Sequence, residues 1–184
     1  KPYIDILAGI PSVIYGFMGL LLVVKFFEKL GRPSGESVLA GGMVLSIMIL
    51  PFIVDNCEET MSKIRKKYEN SSKALGVSKW YMISELVVPA SKKSMVISMI
   101  LALARALGET MAVMMVIGNA PIFPTILGKA QTISSLIALE MGMTEVGSTH
   151  YNALFASGLS LLIIILSINL LVEAIKKRFL GVEL

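Results

Sequence analysis

Four long apolar runs constrain this chain more than any other feature of its sequence. A helix needs about 17 to 25 mostly apolar residues to cross a bilayer whose hydrocarbon core is roughly 30 Å thick. Runs of that length occupy residues 6–27, 38–54, 94–118 and 153–174. Only 16% of the 184 residues are charged, whereas a soluble domain averages about 25%. We therefore predict an all-α, polytopic transmembrane helix bundle with about four spanning helices.

The basic residues predict which loops face the cytoplasm. Residues 55–93 and 176–178 are rich in Lys and Arg, whereas residues 119–152 carry only Lys129. Since Lys and Arg collect on the cytoplasmic side, we expect residues 57–92 and the C-terminal tail to be cytoplasmic. Residues 29–36 and 119–152 are then external. This topology accounts for most of the net charge of +4, and no aromatic-interleaved basic stripe indicates nucleic-acid binding.

The start of the chain suggests that part of the domain is missing. The sequence begins with Lys1, and no charged segment, short apolar core and cleavage site of a signal peptide precede the first run. We expect residues 1–184 to form a single transmembrane domain that is incomplete at its N-terminus.

Residues 57–92 are patterned more strongly than a plain connection requires. Apolar residues recur at helical spacing before and after a break near residues 70–72 and again after Gly76. This predicts two or three short amphipathic helices, with Gly76 at a sharp turn, since glycine adopts positive φ without strain. Such helices could form a docking surface, or they could lie on the bilayer with their basic residues facing anionic head groups. The pattern alone leaves both possibilities open.

Two charged residues interrupt the third apolar run. Arg105 lies near its middle, where a charge costs roughly 2.5 to 3.5 kcal/mol on insertion scales. Glu109 is four residues later, so the two side chains would share one helical face and could pair; Ser98, two turns earlier, continues this polar face. We predict that the face lines a pathway between subunits. The alternative is that Arg105 and Glu109 form a buried ion pair whose charges only neutralise each other inside the helix bundle.

Small residues beside this polar face predict close helix packing. Ala104, Gly108 and Ala112 form a small-xxx-small repeat that lets a second helix approach. Gly41 and Gly42 in the second run suggest a similar contact. His150 is the only histidine and has no nearby set of ligands in the sequence, so we expect no metal site.

The spacing within residues 70–89 resembles the cytoplasmic coupling loop of ABC-importer permeases. That pattern is Glu-Ala-Ala, three residues, Gly, nine residues and Ile-x-Leu-Pro. Here the glycine and the final proline keep their spacing, but Asn replaces the Glu and Ser replaces both Ala. In that family the loop inserts into a groove on the ATP-hydrolysing subunit. The resemblance therefore implies coupling to an ATPase by Glu69, Asn70, Ser71, Ser72, Ala74, Leu75, Gly76 and Pro89.

Three further stretches resemble the permeases of phosphate importers. They are "LAGIPSVIYGFMGL" at 7–20, "ALGVSKWYMISELVVPAS" at 74–91 and "RALGETMAVMMVIGN" at 105–119. Residues 111–119, together with "HYNALFASGLSL" at 150–161, are more similar to the PstC-type subunit than to its PstA-type partner. The resemblance covers essentially the whole chain and lacks only the first two of the usual six helices. It implies the fold of an ABC type I importer permease in a prokaryotic inner membrane.

The resemblance also implies partners and a function. The chain would be the membrane-spanning permease subunit of an ATP-driven phosphate importer, with residues 57–92 as its coupling loop and residues 119–152 as its external loop. A short helix expected at residues 132–143 would face an external phosphate-binding protein or lie in the membrane interface. A second related permease and two ATP-binding subunits would complete the complex in membrane lipid. The pathway residues would be Arg105, Glu109 and Ser98. The planar guanidinium of Arg105 would bind two phosphate oxygens, and Glu109 would hold Arg105 in place at rest and release it as the subunits reorient.

No catalytic motif is present in the sequence. It contains no Gly-x4-Gly-Lys-Ser/Thr phosphate loop and no set of nucleophile, base and orienting group. We therefore expect no enzyme activity and no cofactor on this chain, with ATP and Mg²⁺ held by the partner ATPase. The remaining alternatives are a permease for another oxyanion, such as sulfate, and a membrane scaffold or sensor that moves no solute.

Overall fold

The structure, a computed structural model, describes residues 2–180, and every regular element in that range is helical. Helices α2 and α3 are joined without a gap by a wider, π-helical turn at Gly19–Val24, and a second such turn at Met82–Val87 joins α5 to α6. A short 3-10 turn, Met141–Met143, follows α8. The helices are α1 (Pro2–Ala8), α2 (Ser12–Met18), α3 (Lys25–Lys29), α4 (Val38–Ala74), α5 (Lys79–Tyr81), α6 (Val88–Leu107), α7 (Met111–Met114), α8 (Ile133–Glu140) and α9 (Thr149–Leu180).

Three helices are long and apolar enough to cross a membrane. They are Val38–Ala74, Lys79–Leu107 and Thr149–Ile175. The predicted all-α bundle is therefore confirmed, with three helices of spanning length in the described range where four spans were predicted. The prediction that the C-terminal tail is cytoplasmic depends on the side chains of Lys176 and Arg178 and on residues 181–184, which lie outside the described residues.

The first predicted span, residues 6–27, is not one helix. Helix α1 ends at Ala8 and α2 begins at Ser12. Pro11 lies between them; it has no N–H to donate, and it disfavours a helical conformation at the residue before it. We call residues 9–11 the first break.

The third predicted span, residues 94–118, is interrupted as well. Helix α6 ends at Leu107, and the N–H groups of Gly108 and Glu109 donate to carbonyls only three residues back, Arg105 O and Ala106 O, at 3.2 Å each. The tightened last turn ends the helix, and glycine at this position weakens its continuation. We call residues 108–110 the second break. The continuous helix predicted here is therefore wrong.

The second span is longer than predicted. Helix α4 has 37 residues, which at 1.5 Å per residue is about 55 Å. It continues through residues 70–72, so the predicted break there and the separate short helix before it are wrong. Ion pairs one helical turn apart support this extension, with Lys63 Nζ 2.6 Å from Glu59 Oε1 and Lys73 Nζ 2.9 Å from Glu69 Oε1.

The predicted turn at Gly76 is confirmed. Gly76 has φ +67° and lies in the four-residue connection between α4 and α5, which we call the loop turn (residues 75–78). The N–H of Val77 donates to Ser72 O at 2.9 Å, which satisfies a carbonyl at the end of α4. The hydroxyl of Ser78 accepts the N–H of Tyr81 at 3.3 Å and caps the next helix.

The two segments predicted to be external lie at the same end of the bundle. Val38 and Leu39, at the start of α4, donate their N–H groups to Gly128 O and Ile126 O at 3.0 and 2.9 Å. Lys129 Nζ lies 2.6 Å from Glu36 Oε2. That this end faces the outside stays a prediction.

Close helix packing occurs at glycines other than those predicted. A Cβ on Gly16 would lie 2.9 Å from Ala112 Cα, so α2 and α7 touch through their backbones. A Cβ on Gly42 would meet no atom within 4 Å, and one on Gly41 would be at an ordinary 3.9 Å from Ile117. Within this chain, therefore, Gly41 and Gly42 do not mediate the predicted contact.

The predicted small-residue stripe is divided by the second break. Ala104 is buried on α6, whereas Ala112 lies on α7 and packs against Gly16. Gly108 lies between the two helices, where a Cβ would be 3.9 Å from Ile165 of α9. Gly108 and Ala112 therefore lie against different helices rather than a single partner.

Candidate functional site

A polar cavity of about 270 Å³ lies where the two breaks meet helix α4. Residues from both breaks and from the middle of α4 form its wall. Its members that matter for the chemistry are Pro11, Ser12, Phe52, Asp55, Arg105 and Glu109.

The cavity lies partway along α4, one of the helices of membrane-spanning length. Counting from Val38 at 1.5 Å per residue, Phe52 lies about 21 Å along α4, and Arg105 stacks on its ring. The hydrocarbon core is roughly 30 Å thick, and non-helical backbone is tolerated within it only where protein or a water-filled cavity surrounds it. Discontinuous helices that meet at such a depth are the arrangement in which many transporters bind their substrates.

Arg105 is exposed on the surface of α6, and its Cζ lies 5.3 Å from the centroid of the Phe52 ring. A guanidinium on an aromatic face is held by a cation–π contact while its N–H edge stays free to donate. Among the ion pairs of residues 2–180, none joins Arg105 to Glu109. The predicted pairing on a single helical face is wrong, because α6 ends between these two residues. They nevertheless line the same cavity.

Glu109 organises the second break. Its Oε1 accepts the N–H of Ala112 at 3.1 Å, which satisfies one of the free donors at the start of α7. Its backbone carbonyl accepts a hydrogen bond from the Ser134 hydroxyl at 3.0 Å. The carboxylate is half-buried, so this wall of the cavity carries a negative charge.

The short helix predicted at residues 132–143 exists as α8 and the 3-10 turn after it. Its first turn packs against the second break rather than on an outer surface, and Ser134 and Ser135 are buried. A capping box starts the helix, in which Thr132 and Ser135 exchange hydrogen bonds between side chain and backbone. The Thr-x-x-Ser pattern of the capping box is visible in the sequence, but the hydrogen bond from Ser134 to Glu109, 25 residues earlier, is not.

Two residues differ from the sequence-based picture of the site. Ser98 is buried, its hydroxyl donates to Ser94 O of its own helix at 3.0 Å, and it lies apart from the cavity. Asp55 lines the cavity, although the sequence placed it at the start of the cytoplasmic segment. The only signal in the sequence that could have placed Asp55 at the site is its position three residues after Phe52, on the same face of α4.

Most of the residues assigned to ATPase coupling are exposed at or near the loop turn. Leu75 has 78% of its surface exposed, and the other exposed members are Asn70, Ser71, Ala74, Gly76 and Pro89. Trp80, which follows the turn, is 79% exposed. Ser72 is buried and Glu69 is half-buried. The hydrogen bond from Lys73 and its charge lower the pKa of Glu69. The turn therefore offers an accessible apolar tip on a helix end with fixed charges.

His150 serves a structural contact at the other end of the bundle. Its Nε2 lies 2.8 Å from Glu140 Oε2, which joins the end of α8 to the start of α9. Within the described part of the chain, no group of three or more His, Cys, Asp or Glu residues could hold a metal ion.

Comparison with known proteins identifies a family and several relatives. Residues 1–181 match the family of the binding-protein-dependent transport system inner membrane component. The chain is 39% identical to a probable ABC transporter permease protein, YqgH, of Bacillus subtilis (strain 168), over 97% of this chain and 58% of that protein. It is 36% identical to the phosphate transport system permease protein PstC of Xylella fastidiosa (strain Temecula1), over 88% of this chain and 56% of that protein.

A more distant relative is the probable phosphate transport system permease protein PstC of Methanocaldococcus jannaschii. It is 31% identical over 91% of this chain and 58% of that protein. The chain therefore spans less than two thirds of the length of these relatives. No solved structure matches it.

Proposed function

Because the chain belongs to the family of binding-protein-dependent transport system inner membrane components, we propose that it forms part of the phosphate path of an ATP-driven importer. The cavity at which Arg105 meets two broken helices is the single observation that carries this proposal. Relatives named as phosphate transport system permeases support phosphate as the cargo. The proposed partners are a second related permease, two ATP-binding subunits and an external phosphate-binding protein.

The chemistry of the cavity suits an anion that must pass through a low-dielectric layer. An anion at this depth needs a positive partner, and the guanidinium can donate to two of its oxygens at once. Phe52 supports the flat face of the guanidinium at 5.3 Å without using its donors. The nearby carboxylates of Asp55 and Glu109 keep the net attraction moderate, so that the ion can also leave.

The two long helices provide a physical link between the cavity and an ATPase. Phe52 and Ala74 are about 33 Å apart along α4, and Lys79 and Arg105 are about 40 Å apart along the helix that α5 and α6 form. Both walls of the cavity are thus continuous with the loop turn. A push on the turn by a partner on the cytoplasmic side would shift Phe52 and Arg105 relative to each other.

Phosphate uptake by the full-length protein, assembled with its partner subunits, tests the proposal. We expect Arg105→Gln to lower radiolabelled phosphate uptake at least about 100-fold. Two charge-assisted hydrogen bonds of roughly 1.5 to 3 kcal/mol each would be lost, and each 1.4 kcal/mol is a factor of about ten. Arg105→Lys should keep part of the uptake, because lysine retains the charge but lacks the fork.

Arg32→Gln is the matched control, because Arg32 is exposed in the segment between α3 and α4 and is remote from the cavity. It should leave uptake within about twofold, as surface substitutions usually have small effects. Wild-type uptake in Arg105→Gln would refute the proposal and favour the membrane scaffold or sensor. Competition between phosphate and sulfate separates a phosphate permease from one for another oxyanion.

A further inference from the structure

The cavity contains two negative side chains and one positive one, although the proposed cargo is an anion. Asp55, Arg105 and Glu109 all line it, and no ion pair within residues 2–180 joins any two of them. Carboxylates that merely balanced the arginine would be expected to approach it. Their separation leaves room between groups of opposite sign.

The carboxylates have free hydrogen-bonding capacity. Glu109 uses one oxygen, Oε1, for the N–H of Ala112 at 3.1 Å. Asp55 is half-buried in the middle of α4. Its carboxylate takes no part in the side-chain hydrogen bonds of the described residues. An ionised carboxylate only accepts hydrogen bonds, so a ligand that satisfies these groups must donate.

A protonated oxyanion meets both requirements at once. Its ionised oxygens accept hydrogen bonds from a guanidinium, and its O–H group donates to a carboxylate. Phosphate and arsenate retain at least one proton at neutral pH, whereas sulfate has none. Sulfate at the same position would leave its acceptor oxygens opposite the acceptor oxygens of like-charged carboxylates.

We propose that Asp55 and Glu109 accept hydrogen bonds from the O–H groups of the oxyanion held by Arg105, so that this cavity selects protonated oxyanions over sulfate. The inference rests on the proposed function and assigns Asp55 as a specificity-determining residue. Discrimination of this kind works by leaving the wrong ligand with unpaired groups, as well as by attracting the right one.

The dimensions and burial of the cavity allow this arrangement. Its volume of about 270 Å³ is several times the roughly 30 Å³ that a water molecule occupies in the liquid. A tetrahedral oxyanion and a few waters therefore fit among the three groups. A fully enclosed site that hydrogen-bonds its ligand can reject an analogue lacking the donor by about 10⁴-fold or more. Since Arg105 is exposed in this cavity, we expect at least about tenfold.

Anion competition on the purified transporter tests the inference. The full-length protein with its partner subunits is prepared without nucleotide and without the external binding protein, whose own selectivity would mask that of the cavity. Radiolabelled phosphate bound at pH 7 is measured by equilibrium dialysis against increasing arsenate or sulfate. We expect arsenate to displace phosphate and sulfate to require at least a tenfold higher concentration.

Asp55→Asn is the decisive variant. The amide of asparagine can donate to sulfate and removes the negative charge, so the ratio of the sulfate to the arsenate concentration should fall at least tenfold. Glu109→Gln should move this ratio in the same direction by less, because one oxygen already serves Ala112. Glu59→Gln is the matched control, because Glu59 is an exposed carboxylate on the same helix and pairs with Lys63 at 2.6 Å. In Glu59→Gln, the ratio of the sulfate to the arsenate concentration should stay at the wild-type value.

The outcomes separate this inference from the proposed function. Equal competition by sulfate and arsenate in the wild type would overturn the inference, as would an unchanged ratio in Asp55→Asn or a wild-type complex that binds no phosphate. If Asp55→Asn fails to assemble, the wild-type competition and Glu109→Gln decide. Uptake that depends on Arg105 but shows no such selectivity would keep the proposed function and reject only the role of the carboxylates.

Discussion

The loop turn and the second break are both interruptions between helices, yet they differ in backbone conformation and in their contacts with the rest of the chain. At the loop turn, Gly76 has φ +67° and a Cβ there would meet nothing within 4 Å. At the second break, Gly108 has an ordinary φ of −88° and lies near Ile165 of α9, 3.9 Å from a Cβ placed on it. One interruption meets no other part of the chain, and the other lies against a further helix of its own chain.

The difference follows from the surroundings of each site. Within a membrane-spanning bundle, free backbone groups need partners from the chain itself wherever bulk water does not reach them. Ser134 donates to the carbonyl of Glu109, and the Glu109 side chain accepts the N–H of Ala112. At the loop turn water can satisfy the backbone, and the exposed Leu75 and Trp80 stay available to a partner. The backbone of the second break is thus held by groups of its own chain, whereas the loop turn presents exposed apolar side chains.

The largest effect that tests this contrast is expected at Gly76. Valine is strained at positive φ because its branched Cβ crowds the backbone, so Gly76→Val should distort the loop turn without disturbing the bundle. We expect phosphate uptake by the assembled transporter to fall at least tenfold, while the amount of assembled protein stays unchanged. ATP hydrolysis should lose its dependence on substrate delivery, because the proposed contact with the ATPase is altered.

Gly31→Val provides a matched control for the strain itself. Gly31 has φ +86°, and a Cβ there would also meet nothing within 4 Å, but it lies between α3 and α4, at the opposite end of α4. The same backbone penalty there should leave uptake within about twofold. Equal losses in the two variants would mean that strain alone causes the defect, and the loop turn would then have no special role in coupling.

The helical class and the loop turn could be predicted because their signals are local. The length of apolar runs identifies spanning helices, and Gly76 in a polar, helix-forming stretch marks a turn. The interruptions within the apolar runs were missed, since Pro11 and Gly108 are tolerated in membrane helices when neighbours satisfy the backbone. Whether such a residue kinks a helix or ends it depends on groups far away in sequence, such as Ser134.

The site was predictable only in part, for a related reason. Arg105 and Glu109 were recognisable because charges in an apolar run are costly. Asp55 was not, because it stands at the edge of such a run, where a charge is ordinary. Its role comes from the packing of α4 against the α5–α6 helix, which places Asp55 and Arg105 on the wall of one cavity. No local pattern encodes that register.

A smaller effect is expected when a hydrogen bond that holds the second break is removed. Ser134→Ala removes the hydroxyl that donates to Glu109 O at 3.0 Å and leaves this part-buried carbonyl without that donor. We expect a loss of about 1 kcal/mol in stability, measured as a lower midpoint of heat unfolding of the detergent-solubilised protein. Ser157→Ala is the control, because that exposed hydroxyl bonds only to Ala153 O of its own helix. If both variants unfold at the same temperature, the Ser134 bond does not stabilise the break.

The smallest effect concerns the charged end of α4 beside the loop turn. The hydrogen bond and charge of Lys73 lower the pKa of Glu69, so ionised Glu69 stabilises this helix end at neutral pH. A carboxyl whose pKa is lower in the folded state contributes fully above its unfolded pKa of about 4.3, and this contribution is lost as the pH falls through the folded value. Amide hydrogen exchange in residues 69–74 should therefore be slightly faster in Glu69→Gln than in the wild type at pH 7. The two proteins should converge in acid.

Glu85→Gln controls for the loss of a carboxylate as such, because Glu85 is exposed and no ion pair of the described residues includes it. It should exchange like the wild type at every pH. A difference between Glu69→Gln and the wild type that persisted in acid could not come from the charge of Glu69, because both residues would then be neutral. Packing of the Glu69 side chain, rather than its charge, would then stabilise the end of α4. The loop turn would in that case be held by contacts within its own chain, as the second break is, and the contrast between the two interruptions would fail.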